Sequence, residues 1–116
     1  MNHSSTPVLF SVIIPAYNTA DYLEATLDTV RGQSLKSYEI CVTNDGSTDE
    51  TAQILATYKS KHPELSIIVI DQENQGMGAA RNAAIRRALG RWLAFLDADD
   101  VWLPGKLEQV WNHLEA

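Results

Sequence analysis

LFSVIIPAYN, residues Leu9 to Asn18, is the stretch whose reading decides the fold. Its first six residues, Leu9 to Ile14, are nearly all apolar, as in a strand covered on both faces and unlike the alternation of a half-solvated sheet. Pro15 lacks an amide donor and is expected to end the ladder there. Asn18 and Thr19 are both good helix N-caps, and Leu23, Leu27 and Val30 then recur at helical spacing before Gly32. A strand feeding an amphipathic helix is a βα unit, and the unit recurs along the chain. YEICVT (Tyr38 to Thr43) passes through NDGSTDET (Asn44 to Thr51) into Ile54, Leu55 and Tyr58, and His62 with Pro63 closes that helix. Asp-Gly between strands would suggest a hairpin, but helical spacing follows it. LSIIVI (Leu65 to Ile70) is the third strand, and an alanine-rich helix from Met77 to Leu89 takes Gly90 as its stop. RWLAFL (Arg91 to Leu96) is the fourth strand, and Pro104 opens a last helix with Leu107, Val110, Trp111 and Leu114 on one stripe. About four βα units predict an α/β fold, a Rossmann-like and mainly parallel sheet with flanking helices.

The 116 residues suit one compact domain, expected over 8–116 after a polar, disordered tail at 1–7. At 45% hydrophobic and 21% charged residues, the composition is that of a globular protein. Nine Lys and Arg against fifteen Asp and Glu leave a net charge of -6, which disfavours a generic grip on nucleic acid or anionic lipid. The single cysteine, Cys41, lies in an apolar run and reads as a buried thiol in a reducing compartment. Val8 to Ile14 is far shorter than the roughly 20 residues that cross a bilayer, and no charged region precedes it as in a signal peptide. A cytoplasmic location is the expectation, compatible with membrane association of a longer parent chain.

Ligands of open α/β sheets bind beyond the carboxyl ends of the strands. Three such ends carry unusual residues: Pro15, Ala16, Tyr17 and Asn18; then Asn44, Asp45 and Gly46; then Asp97, Ala98, Asp99 and Asp100. Helix capping explains one carboxylate of LDADD, or two. Three within four positions repel one another, and a bound cation would relieve the repulsion. Magnesium or manganese fits, because both take oxygen ligands from one or two carboxylates and from substrate phosphates. No His or Cys cluster offers a zinc site. In NDGSTDET, Ser47 with Glu50 fits a capping box and Gly46 a turn of positive φ, which leaves Asp45 free for either a structural or a binding task. GMGAAR begins like a dinucleotide fingerprint, but Arg81 stands at the last glycine position, so a nicotinamide site is not expected. Arg81 is suited to phosphate or to a base carbonyl, whereas Arg86, Arg87 and Arg91 read as surface charges. Of the tryptophans, Trp102 is expected near the site, and Trp92 and Trp111 in a core or interface.

SVIIPAYN, NDGSTDET, ENQGMGAARN and FLDADD, in this order, closely resemble the nucleotide-binding half of family 2 glycosyltransferases, inverting enzymes with the GT-A fold. The resemblance covers nearly the whole chain. It implies a hexosyltransferase type of activity in polysaccharide or glycoconjugate synthesis, with a nucleotide-diphosphate sugar as donor, UDP being the commonest carrier. It further implies that Pro15, Ala16 and Tyr17 line the nucleoside pocket, that Asp45 bonds the base and that Arg81 lies beside the nucleotide. Asp97 and Asp99 match the DxD motif: the first carboxylate lies near the ribose, and the pair holds a divalent cation bridging the diphosphate, with Asp99 as the principal ligand. Asp100 is expected to support the site by capping the next helix or through a metal-bound water. In the family the catalytic base is an Asp or Glu of the second half, so no catalytic residue is expected before Ala116. The chain is accordingly expected to be a fragment that binds donor only, and to self-associate through an uncovered sheet edge.

Other readings have less support in the residues. A receiver domain needs paired acidic residues after the first strand, where this chain has Pro15, Ala16 and Tyr17. A sugar-nucleotide nucleotidyltransferase needs a glycine-rich loop there, and PAYN has no glycine. A non-catalytic nucleotide-binding module remains the main alternative.

Overall fold

The computed structural model describes residues 8–115, so the tail expected at 1–7 lies outside the described residues. The elements alternate as β1 (Phe10–Ala16), α1 (Leu23–Arg31), β2 (Tyr38–Asp45), α2 (Thr51–Lys61), β3 (Ile67–Gln72), α3 (Met77–Arg87), β4 (Trp92–Phe95) and α4 (Lys106–Glu115). All pairings are parallel, in the order β3-β2-β1-β4. The chain steps outward from β1 through β2 to β3, then α3 carries it back to the other side of β1. Strand order therefore reverses between β1 and β4, which marks the carboxyl end of that pair as the place for a ligand.

The continuous apolar runs of β1 and β2 divide between two faces. Val12, Ile14, Ile40 and Val42 meet Leu23, Leu27 and Val30 of α1, Leu55 and Tyr58 of α2, and Leu107 of α4. On the opposite face Ile13 and Cys41 pack against Ala84 of α3. Every residue of β1 and β2 is buried. Cys41 is free, and burial, reinforced by the Glu39 charge, pushes its thiol up to about 11. No helix among the described residues is long and apolar enough to cross a membrane.

Several local expectations are corrected. Pro15 does not end the strand: it stands opposite Thr43, and the ladder to β2 continues to Ala16 opposite Asn44. The ladder to β4 stops earlier, at Ile13 opposite Phe95. The Ile13 carbonyl accepts the Leu96 N–H at 3.0 Å on the β4 side. Alternation along a strand turns the Pro15 nitrogen to that same side, where β4 has already ended, so its missing donor costs no ladder bond. Helix α1 begins at Leu23, although the Leu23 N–H already reaches the Thr19 carbonyl at 2.9 Å. The Ser47–Glu50 capping box does not form. Ser47 Oγ instead accepts the Asn18 N–H, and the Asp49 carboxylate accepts the Thr51 N–H at the start of α2. Helix α3 ends at Arg87, before Gly90. Gly90 serves close approach: a Cβ there would stand 2.6 Å from the Ser11 nitrogen and 2.7 Å from the Phe10 carbonyl carbon. Trp92, expected in a core or interface, is exposed with Leu93 and Phe95 on β4, the edge strand.

Gly90→Ala should therefore lower stability by about 1–3 kcal/mol through overpacking against β1, read as a reduced midpoint in urea. An unchanged midpoint would mean that the β4 approach relaxes freely.

Candidate functional site

Beyond β4 the chain turns at Ala98 and Asp99, with Leu96 and Ala98 buried and Asp97 and Asp99 exposed. The turn leaves both carboxylates exposed while Ala98 is buried and anchors the segment in the core. Three hydrogen bonds to its backbone fix it. Thr26 Oγ1 of α1 donates to the Ala98 carbonyl at 2.9 Å and the Asp100 carbonyl at 2.7 Å, and the Asp100 N–H donates to the Asp97 carbonyl at 3.0 Å. The Asp100 carboxylate accepts the N–H of Val101 and caps no helix, because α4 begins at Lys106. Its N-terminal end is held by Gln33, whose Oε1 accepts the Leu107 N–H at 2.9 Å.

A cleft of about 370 Å³ opens between β1, α3 and β4. Pro15 and Tyr17 wall it from the end of β1, Arg81 from α3, and Asp97 and Asp99 from the segment that follows β4. Residues expected from three distant stretches of sequence therefore meet in one place. Arg81 reaches across to Asp97, with 3.5 Å between guanidinium and carboxylate, their side chains 41% and 64% exposed. Such a pair holds by at most about 1 kcal/mol and yields readily to a competing ion. Thr19, Met77 and Ala98 also line the cleft. Thr19 was legible only as a helix start and Met77 only as the first residue of α3. Ala16 is buried outside the wall, and Trp102 packs on the core.

Three carboxylates do not gather around a common point. Among the described residues no group of three or more His, Cys, Asp or Glu is arranged to hold a metal. Asp97 and Asp99 remain as an exposed oxygen donor pair, which suits a divalent cation only if ligand oxygens and water complete its shell. The residues fit a cation shared with a phosphate-bearing ligand, not one caged by protein.

Asp45 lies outside the cleft wall and is fully buried. Its Oδ1 accepts Gln72 Nε2 at 2.8 Å and the Gln75 N–H at 2.9 Å; its Oδ2 accepts the Gly76 N–H at 2.9 Å and Asn74 Nδ2 at 3.2 Å. Burial pushes the carboxyl up, but these bonds outweigh it and hold it below its ordinary value of 3.8. The carboxylate thereby folds the turn from β3 into α3. Gly46, at φ 72°, and Gly76, at φ 98°, supply the left-handed backbone, and a Cβ on Gly46 would come 2.6 Å from the Asn74 nitrogen. In this state all the acceptor positions of Asp45 are taken, so a contact with a base requires Gln72 or Asn74 to release one.

A second hollow, about 170 Å³ between α1 and α2, is lined by Glu24, Ile54, Tyr58 and His62 and holds none of the motif residues.

Residues 11–116 match the sequence profile described as Glycosyl transferase family 2. The chain is 44% identical over 101 residues to a Bacillus subtilis protein named for teichuronic acid biosynthesis, the glycosyltransferase TuaG, covering 87% of this chain and 40% of that one. With the chondroitin synthase of Escherichia coli it shares 37% identity over 100 residues, 86% of this chain and 14% of the synthase. Among solved structures, S. aureus TarS 1-349 in complex with UDP superposes with a TM-score of 0.85 at 32% identity, covering 93% of this chain and 32% of TarS. The mannosyltransferase PcManGT from Pyrobaculum calidifontis, in complex with GDP-Man and Mn2+, gives 0.79 at 30% identity, covering 88% and 30%. The chain thus spans less than half the length of each.

Asp45→Asn keeps one acceptor oxygen but turns an amide donor toward the donors of Gly76 and Asn74. It should cost about 1–3 kcal/mol at neutral pH and speed amide exchange at Gln75 and Gly76. Because the folded-state carboxyl lies below 3.8, its contribution is present above that value and lost as pH falls through the lower folded value. The gap between wild type and variant should accordingly close in acid. A gap independent of pH in urea titrations would refute the assignment.

Proposed function

The chain belongs to glycosyl transferase family 2, and from that premise we propose that its cleft binds a nucleotide-diphosphate sugar for metal-assisted, inverting transfer to an acceptor hydroxyl. The observation that carries this reading is the meeting of Arg81, Asp97 and Asp99 where strand order reverses. UDP is the first carrier to test, since TarS binds UDP and UDP-GlcNAc, while GDP-Man in PcManGT keeps a guanosine carrier in view.

Pro15 supplies backbone, and the exposed Tyr17 ring supplies a face, to the nucleoside, while Ala16, expected beside them, stays buried behind the wall. Arg81 exchanges Asp97 for the nucleotide, a change its weak ion pair permits. Asp97 turns to the ribose side and Asp99 to the diphosphate side, the two together offering oxygen donors to a divalent cation, manganese or magnesium. When bound, that cation would draw negative charge from the departing diphosphate. Inversion also requires a base on the acceptor hydroxyl. Asp97 and Asp99 are committed to the donor, so we assign no base, and the activity of this chain by itself is donor binding. A reducing, cytoplasmic setting belongs to the same proposal, in keeping with the unpaired, buried Cys41.

Calorimetric titration of UDP with and without manganese tests the reading. Manganese alone should bind weakly, because protein supplies too few oxygens, yet it should tighten UDP binding about tenfold or more, the scale of one or two charge-assisted contacts. Asp99→Ala should abolish that gain. UDP affinity indifferent to manganese and to Asp99→Ala would sink the proposal.

A further inference from the structure

Helix α1 presents two stripes. Leu23, Leu27 and Val30 are apolar and enter the core. Thr26 and Thr29 are polar, as is Gln33 just past the helix end at Gly32, and each reaches the irregular segment that joins β4 to α4. Thr26 Oγ1 contacts the carbonyls of Ala98 and Asp100, which share its single proton. Thr29 Oγ1 donates to the Thr26 carbonyl at 2.7 Å and accepts the Trp102 N–H at 3.2 Å. The Gln33 amide donates to the Leu103 carbonyl at 2.7 Å and the Thr29 carbonyl at 3.1 Å, and its oxygen accepts the Leu107 N–H. Thr26 and Gln33 are almost wholly buried. The segment has no sheet partner of its own, and the carbonyls of Ala98, Asp100 and Leu103 and the N–H of Trp102 go to these three side chains.

We propose that Thr26 is the positioning residue for the Asp97–Asp99 pair, with Thr29 and Gln33 carrying the same hold toward α4. The proposal rests on the reading of the cleft as the nucleotide-sugar site. Asp99 sits between the two carbonyls that Thr26 holds, and among the described residues its carboxylate has no hydrogen-bond partner, so the backbone is what fixes the place from which it reaches. Ala98 supplies the second fixed point, buried in the core between the two carboxylates in sequence. Thr26 is 1% exposed and touches no ligand itself. Its effect passes through the peptide units flanking Asp99.

The test compares wild type, Thr26→Val and Thr26→Ser for UDP affinity with and without manganese, alongside thermal midpoints and amide exchange. Valine keeps the shape and removes the proton that both carbonyls share. Thr26→Val should reduce the manganese-dependent gain in UDP affinity about tenfold, as expected for one lost hydrogen bond, while UDP affinity without metal stays unchanged. Exchange at Val101 and Trp102 should quicken. Thr26→Ser, which keeps the hydroxyl, should restore the gain even if its midpoint falls. Should Thr26→Val fail to fold, the half-buried Thr29→Ala must show a smaller loss in the same direction. An undiminished gain in the folded variant overturns the proposal, as does an equal loss of metal-free affinity, which would signal general damage. If wild type shows no manganese-dependent gain, the site reading itself fails, an outcome distinguishable because it appears without any substitution.

Discussion

The open end of this molecule depends on one mismatch in strand length. β1 continues to Ala16 against β2, but against β4 it is paired only to Ile13. An ordinary residue at position 15 would present an unpaired N–H to the gap, and burying such a donor is costly. Proline has none to present. The gap between β1 and the segment beyond β4 can therefore persist as a cleft instead of closing as another rung of sheet, and Pro15 itself becomes wall.

What borders the gap is irregular chain, and irregular chain needs outside partners for its backbone. Two polar devices supply them. On the α3 side the Asp45 carboxylate gathers four donors from residues 72–76 and so fixes where α3, and with it Arg81, begins. On the β4 side the hydroxyl of Thr26 and the amide of Gln33 hold the segment bearing Asp97 and Asp99. Both devices are buried in the fold, whereas the groups they orient are exposed. Such a division leaves the exposed groups free to exchange partners without loosening the frame.

The fold was legible because its signals are local. The mostly apolar runs of β1 and β2, the stripe of α1 and the alanines of α3 each carry their own local signal, and each resolves as the expected element with shifted ends. The meeting of Pro15, Tyr17, Arg81, Asp97 and Asp99 was legible from parallel topology joined to family resemblance. Less legible was whatever depends on a partner distant in sequence. Gly90 looked like a helix stop and answers instead to the backbone of Ser11. The capping box at Ser47 gave way because Asn18 claimed its hydroxyl. Gln33 carried no periodic signal, since a polar residue after Gly32 looks like loop until α4 is seen to rest on it. The gathering of three carboxylates failed for a related reason: the Asp100 side chain turned to the adjacent Val101 N–H.

Cys41 has a practical consequence of a different kind. It lies on β2 between two strands, beneath α3, and its thiol, pushed up to about 11, is neutral at ordinary pH. A thiol reagent needs the thiolate and needs access, and the folded sheet denies both. Labelling of the chain's only cysteine would then proceed at the rate at which the centre of the sheet opens, giving the molecule a built-in clock for its own unfolding that leaves the distant cleft untouched.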